Sequence, residues 1–480
     1  MKTRVRESAS AESLTRTGWA LRLLGACMLT ATSAVACASS VERSTRRDFR
    51  AIEAQLADLP DAQADVDTAT QTPDFDGRLS GYLSYAFANS PELRASFEQW
   101  RAATHGPRQE RRLPDPELTF GVFVRPMETP MGPMRAQLSV MQMFPWPTKI
   151  TAGSKAAAHE AEAAQRVFEA QALEVAAEVA RPYWRLWHLE RLREVEEQDI
   201  EILAGLSEQI RARVEVGGAQ LSELAQVDLR LVQARDRLAE LDQEERALSA
   251  ELVRAVGAPL GTPTPVQTDP PVVIEPAETI QELARVAAEH PRVASMAAMS
   301  AASSERARAA RADRFPRFGL GAEWVIVGRS GVTPPPHHDG RDSVMLMGTV
   351  SVPLWQRSYG AAVEEAKANE AAYRARALSA RNQVMAETQA GLARVESDVR
   401  RVRLYEHSLV PQAEAALESV ISSYAVGRAS IAEVLMAERE LLEARHAIVE
   451  VQVDYAIDWV ELERIVGRPV ATKEVDRGSD

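Results

Sequence analysis

Residues 216–259, VGGAQLSELAQVDLRLVQARDRLAELDQEERALSAELVRAVGAP, and residues 426–469, VGRASIAEVLMAERELLEARHAIVEVQVDYAIDWVELERIVGRP, are one segment written twice. Gly217 answers Gly427 and Gly257 answers Gly467, each pair 210 positions apart with no gap between. Such self-similarity marks a structural unit used twice, and it governs every local reading. Within the copies, apolar residues recur at multiples of seven: Leu231, Leu238 and Leu252 in one, Leu441, Ile448, Tyr455 and Leu462 in the other. That spacing predicts long helices wound on one another. The Val-Gly opening each copy supplies a residue tolerant of positive φ, as a reversal between helices requires.

Upstream the copies keep pace with small slips. Ser90-Pro91 answers His290-Pro291, Leu113-Pro114 answers Phe315-Pro316, and Phe144-Pro145 answers Val352-Pro353. Each unit opens with a helical stretch, residues 79–112 and 279–313, and then turns to period two. Leu118, Phe120, Val122 and Val124 alternate with Thr119, Gly121, Phe123 and Arg125; Ala136, Leu138 and Val140 follow. The second unit repeats this with Phe318, Leu320, Ala322, Trp324 and Ile326, then Val344, Leu346, Val350 and Val352. Runs of about ten residues suit tilted transmembrane strands. Pro126 to Pro133 and Arg329 to Asp342 read as exposed loops. Long helical tracts follow, residues 151–215 and 360–425, in which Pro182 and Pro411 should kink or interrupt the helix. The fold class is mainly α with a small β part, a duplicated unit of long coiled-coil helices and two-stranded β-hairpins. Two soluble hairpins on a helical body satisfy the composition equally.

The chain has 480 residues and a formal net charge of −13. An acidic excess without a basic, aromatic-interleaved stretch excludes nucleic acid as the main partner. A mean hydropathy of −0.24 excludes a multi-helix membrane protein. Cys27 and Cys37 are the only cysteines, so the rest of the chain has no disulfide and no thiolate metal site. Five basic residues precede an apolar run from Leu23 to Ala36, a secretory signal pattern. Ala34-Val35-Ala36-Cys37 resembles a lipoprotein box, with Cys37 as the lipidated first residue; Leu24-Gly25-Ala26-Cys27 competes, and plain cleavage is the third reading. The chain then divides into a signal peptide (1–36), a polar tether (37–78), a first repeat (79–259), a Pro-rich linker (260–278), a second repeat (279–469) and a tail (470–480).

Four amphipathic strands cannot close a barrel, and open edges are not tolerated in lipid, so several chains must share one. Here the chain resembles the TolC-like outer membrane efflux proteins, over residues 79–469. The resemblance rests on Ser90-Pro91 and His290-Pro291, the Pro145 and Ser351-Val352-Pro353-Leu354-Trp355 strand exits, the Val216-Gly217 and Val426-Gly427 reversals, and Gly257-Ala258-Pro259 with Gly467-Arg468-Pro469. It implies a homotrimeric α-barrel carrying a shared twelve-stranded β-barrel in the outer membrane lipid of a Gram-negative cell. It further implies a passive conduit served by a periplasmic adaptor and an inner-membrane transporter of the RND type. Val216, Gly217, Gly218, Val426, Gly427 and Arg428 then form adaptor-docking tips, and Glu223, Tyr424 and Glu433 a periplasmic gate. Phe144-Pro145-Trp146-Pro147-Thr148-Lys149 resembles members serving heavy-metal exporters. Met141, Met143, Met345 and Met347 fall on inward phases where thioethers could meet soft metals or simply pack.

No enzyme motif is present: there is no Gly-x-Ser-x-Gly elbow and no phosphate loop, and after His159-Glu160 the second zincin position holds Ala163. No cofactor or resident metal is implied. Two other functions fit the long helices, a lipid-anchored periplasmic coiled-coil scaffold or adaptor and a type I secretion duct. The four strands at matching positions distinguish the scaffold, which has no reason to duplicate lipid-length hairpins.

Overall fold

The computed structural model describes residues 38–57, 73–333 and 337–472; the signal segment with Cys27 and Cys37, residues 58–72 of the tether and the last eight residues of the tail lie outside the described residues. In chain order the elements are α1 (Ser40–Ala57), α2 (Leu79–Asn89), α3 (Pro91–Glu110), β1 (Glu117–Thr129), β2 (Gly132–Phe144), α4 (Pro147–Glu215), α5 (Leu221–Val256), α6 (Ile280–Ala287), α7 (Pro291–Ala312), β3 (Arg317–Val327), β4 (Ser343–Ser351), α8 (Gln356–Leu404), α9 (Val410–Ala425) and α10 (Ile431–Val466). They pack as two units, one holding residues up to Arg50 with Trp100–Ala164 and Met296–Ala375, the other holding the remainder.

The first unit is built on one antiparallel sheet in the order β1-β2-β3-β4. The hairpins of the two repeats join through β2 and β3, so the duplication yields a single four-stranded wall. Its register sorts the side chains as the alternation predicts. Leu118, Val140, Ala322 and Leu346 stand in one row and Phe120, Leu138, Trp324 and Val344 in the next, on an apolar face that Gln142, opposite Leu320, interrupts near the strand end. Opposite lie Thr119, Ser139, Glu323 and Met345, then Met141, Gly321 and Met347. Among the described residues the outer edges of β1 and β4 carry no paired strand.

The first loop is tighter than its prolines suggest. Strand continues through most of Pro126 to Pro133, and the reversal is only Pro130 and Met131. A register shift between Val122 and Met127 absorbs Pro126, which an edge strand can host because its missing N–H faces no partner. Gly132 takes φ +120, and a Cβ there would run into the Gly328 carbonyl.

The expected tether also contains structure, since residues 40–57 form α1. Glu42, Thr45 and Phe49, one helical stripe, are buried, and Phe49 meets Trp100 edge-on at 5.1 Å. Three buried positions in a polar segment are too few to show against its composition.

In the second unit the repeat is visible joint by joint. Gly257 (φ +75) and Gly467 (φ +85) each end a returning helix in the left-handed region. A Cβ on the first would lie 3.1 Å from the Asn89 carbonyl oxygen, and on the second 3.3 Å from the His290 ring. Each glycine therefore abuts the break before Pro91 or Pro291. His290 Nε2–H donates to the Arg464 carbonyl (3.2 Å) while Nδ1 accepts from the Arg292 N–H (3.1 Å), and burial pushes its pKa down, keeping the ring neutral. The Pro-rich linker is pinned to the helices: Tyr82 Oη donates to Pro265 O (2.8 Å), and Trp187 Nε1 to Asp269 O (3.0 Å).

The two helix prolines behave differently. Pro182 leaves α4 a continuous helix of 69 residues. Before Pro411 the chain widens into a π turn, Tyr405–Leu409, in which the Val410 N–H reaches back to Tyr405 O. A proline has no N–H to continue the four-residue ladder and its ring crowds the carbonyl four positions back, so an extra residue in the preceding turn relieves both.

Candidate functional site

The two reversals in the second unit are superimposable in their bonding. After α4, the Gly217 N–H donates to Val214 O (3.0 Å) and the Gly218 N–H to Arg213 O (2.7 Å). After α9, the Gly427 N–H donates to Tyr424 O (3.0 Å) and the Arg428 N–H to Ser423 O (2.9 Å). This double closure satisfies the last carbonyls of each helix and needs a residue at positive φ. Gly217 (φ +73) and Gly427 (φ +76) supply it, and no atom stands within 4 Å of a Cβ built on either. Backbone conformation alone selects glycine here. Val216 and Val426 are 81% and 68% exposed, large apolar side chains offered to solvent at both turns.

Behind the turns, α4, α5, α9 and α10 share a core that includes Ile210, Val227, Leu231, Tyr424, Val434 and Leu441. Tyr424 is its polar exit. Its hydroxyl donates to Glu223 Oε2 at 2.8 Å, and the Arg213 guanidinium lies 4.9 Å from its ring centroid. Arg213 also donates to Tyr424 O (3.4 Å) and Gly218 O (3.3 Å). Burial, and then the Glu223 carboxylate, push the Tyr424 phenol up to about 12, so it stays a proton donor. Three helices are thus tied through one ring: α4 by Arg213, α5 by Glu223 and α9 by Tyr424.

Glu433 is engaged elsewhere. It forms a reciprocal cap with Ser430, its Oε2 accepting from the Ser430 N–H (2.6 Å) and hydroxyl (3.0 Å) while the Glu433 N–H donates to Ser430 Oγ (3.3 Å). The Ser430 N–H holds this carboxyl below the usual range. The sequence reading groups Glu433 with Glu223 and Tyr424; the structure brings only the latter two together.

A cluster that the sequence reading misses lies in the same helices. Asp199 of α4 and Glu438 of α10 are buried, 4% and 3% exposed, and line one small cavity, where Asp199 Oδ2 and Glu438 Oε2 have no hydrogen-bond partner. Burial and then the Asp199 carboxyl push Glu438 up to about 8; burial also raises Asp199. Beside them Glu196 meets Arg237 Nε (3.2 Å) and His446 Nε2 (3.0 Å). Burial alone would raise Glu196, but His446 and Arg237 outweigh it and hold its carboxyl low. The signal was present: Asp199 stands four residues after Val195 and seven before Leu206, and Glu438 seven after Ile431 and three before Leu441. Each is an acid on an apolar stripe.

In the first unit, Met141 and Met143 lie over glycines of β3. Building a Cβ on Gly319 would place it 3.3 Å from Met141 Sδ and against Met143 Sδ. Thr349 Oγ1 donates toward Met141 Sδ at 3.8 Å. Among the described residues no group of three His, Cys, Asp or Glu side chains could hold a metal ion, and His337 and His338 are exposed.

No curated protein matches the sequence. Among solved structures the chain resembles a membrane protein of Pseudomonas aeruginosa (19% identity, TM-score 0.67, covering 82% of this chain and 94% of that one). It also resembles the outer membrane protein VceC of Vibrio cholerae (18%, TM-score 0.64, 82% and 96%) and CusC (15%, TM-score 0.68, 85% and 99%), a protein that undergoes transmembrane channel formation. At these identities the likeness concerns the fold. The family model for outer membrane efflux proteins matches residues 82–258 and 283–468, one stretch for each copy of the repeat. With the duplicated helices, the lipid-length sheet and this match over most of its length, the chain belongs to the outer membrane efflux protein family.

Proposed function

We propose that three copies of this chain form a passive efflux conduit whose sheets close one barrel in the outer membrane. The observation that carries this reading is the four-stranded sheet, apolar on one face and bare on both edges, since lipid offers no hydrogen bonds to an open edge. Antiparallel order lets β4 of one copy pair with β1 of the next. The reversals at Val216-Gly217-Gly218 and Val426-Gly427-Arg428 dock a periplasmic adaptor through their exposed valines, and an RND-type inner-membrane transporter supplies the cargo. Tyr424 and Glu223 hold the aperture closed, with Glu433 seating the helix beside them. Cys37 carries the lipid anchor. Heavy-metal ions and drugs are the cargo classes, the thioethers beside Gly319 and Gly321 favouring the soft metals.

The test uses the absence of cysteine beyond position 37. Thr119→Cys in β1, combined in turn with Met345→Cys, Met347→Cys and Thr349→Cys in β4, should give covalent trimers on oxidation for at least one pair. Cross-links confined to single chains, or none at all, would reject the shared barrel.

A further inference from the structure

We propose that α1 presents an arginine face to anionic phospholipid headgroups of the periplasmic leaflet. The inference rests on the sheet being the membrane wall and goes beyond it, because it concerns α1, which lies outside the sheet.

Within the first unit α1 is fixed on α3. Glu42, 2% exposed, bonds Arg46 Nη2 at 2.8 Å and also the Arg111 guanidinium. Seven residues on, Phe49 seats against Trp100. Arg111 stands six residues before β1, so the first turn of α1 lies at the membrane edge of the sheet. An aromatic group at the same ends of the strands marks that edge: Trp146 stacks on Phe315 at 5.1 Å and lies 6.4 Å from Phe318, the belt position of membrane proteins.

With Glu42, Thr45 and Phe49 turned inward, Arg43, Arg47 and Arg50 are exposed at spacings of four and three, along one flank. Among the described residues none of the three has a carboxylate partner. Arg108 on α3 is exposed nearby, and after burial it is Arg108, Arg111 and Arg50 that most disfavour the charge of Arg46, against the pull of Glu42. Guanidiniums outnumber carboxylates here. Residues 40–50 and 101–115 contain eight arginines against Glu42, Asp48, Glu110 and Asp115, the last paired with Arg112 at 3.8 Å, in a chain whose net charge is −13. Glu110 is itself occupied by Arg306 at 2.6 Å. A local positive excess at the edge of a membrane-spanning sheet, in an otherwise acidic protein, fits a negatively charged surface within a Debye length of about 8–10 Å. Arginine forks suit phosphodiester oxygens, and polybasic segments beside a membrane recognise anionic lipid in this way. Ser40 follows Cys37 by three residues, so an anchor at Cys37 would hold the face against the same leaflet.

The experiment is native mass spectrometry of the full-length detergent-solubilised trimer titrated with phosphatidylglycerol or, as a neutral comparison, phosphatidylcholine. The wild type should retain phosphatidylglycerol preferentially, and retention should fall with added salt. Arg43→Gln, Arg47→Gln and Arg50→Gln together should weaken it by about tenfold or more. The matching triple Lys variant should restore most of it, and Arg235→Gln on α5 should change nothing. Equal phosphatidylglycerol retention in the triple Gln variant overturns the proposal. So does a triple Gln variant that no longer assembles, which would place the arginines between copies. Potassium conductance of the same preparations separates the two readings: unchanged retention with normal conductance removes the lipid face alone, whereas a wild type that never conducts removes the membrane wall and this proposal with it.

Discussion

Glu223 and Glu433, matching residues of the two copies, show how differently two residues that look alike in a motif can be used. Tyr424 donates a hydrogen bond to Glu223, 201 positions earlier, under the Arg213 guanidinium, whereas Glu433 caps its own helix at Ser430. Tyr424→Phe removes only the hydroxyl and costs about 1 kcal/mol of closed-state stability. It should therefore raise the single-channel conductance or the open fraction, and Glu223→Gln should act in the same direction. Glu433→Ala should instead lower thermal stability by about 1 kcal/mol through the lost cap and leave conductance near the wild type. If Glu433→Ala opens the channel as Glu223→Gln does, the division of roles is wrong. Gly467→Ala, forced to φ +85 with a Cβ 3.3 Å from His290, should cost about 1–2 kcal/mol in a melting measurement.

At the scale of elements, α4 and α10 bury two carboxyls, Asp199 and Glu438, against one another. Glu438 holds its proton to about 8 in the folded protein, whereas the unfolded chain releases it near the ordinary carboxylate value. Between those points the native state binds more protons than the unfolded one, so stability is full at acid pH and falls as pH rises through about 8. Thermal scans from pH 5 to 9 should show the melting temperature declining by several degrees, and Glu438→Gln should flatten that slope. A profile flat in the wild type would mean the pair is solvated. The elements themselves were mostly legible: strand alternation reports a one-sided apolar face, seven-residue spacing a buried helical stripe, and glycines at 217 and 427 report positive φ. The π turn at Tyr405–Leu409 was not, because a proline signals a break without saying whether the helix kinks, as is open at Pro182, or widens. Helix α1 stayed hidden because its stripe is three residues long and one of them is Glu42. The Tyr424–Glu223 contact was hidden too, since which carboxylate Tyr424 meets depends on the offset of α5 against α9, and no local pattern encodes that.

For the whole molecule, duplication explains why one chain can build a wall but not a tube. Each repeat contributes a hairpin, β2 joins β3, and among the described residues the edges of β1 and β4 have no paired strand, which the proposed assembly would supply from other copies. The proposed lipid anchor is tested at this scale: Cys37→Ala should abolish palmitate incorporation while trimers still form, and persistent labelling would move the anchor to Cys27. The most direct measurement of the central claim is the mass of the full-length protein extracted from outer membranes in mild detergent, followed by conductance of that same species in planar bilayers. The account predicts a trimer that gives discrete ion-conducting steps, enlarged by Tyr424→Phe. A monomer or dimer without channel activity in wild type and variant alike would contradict it.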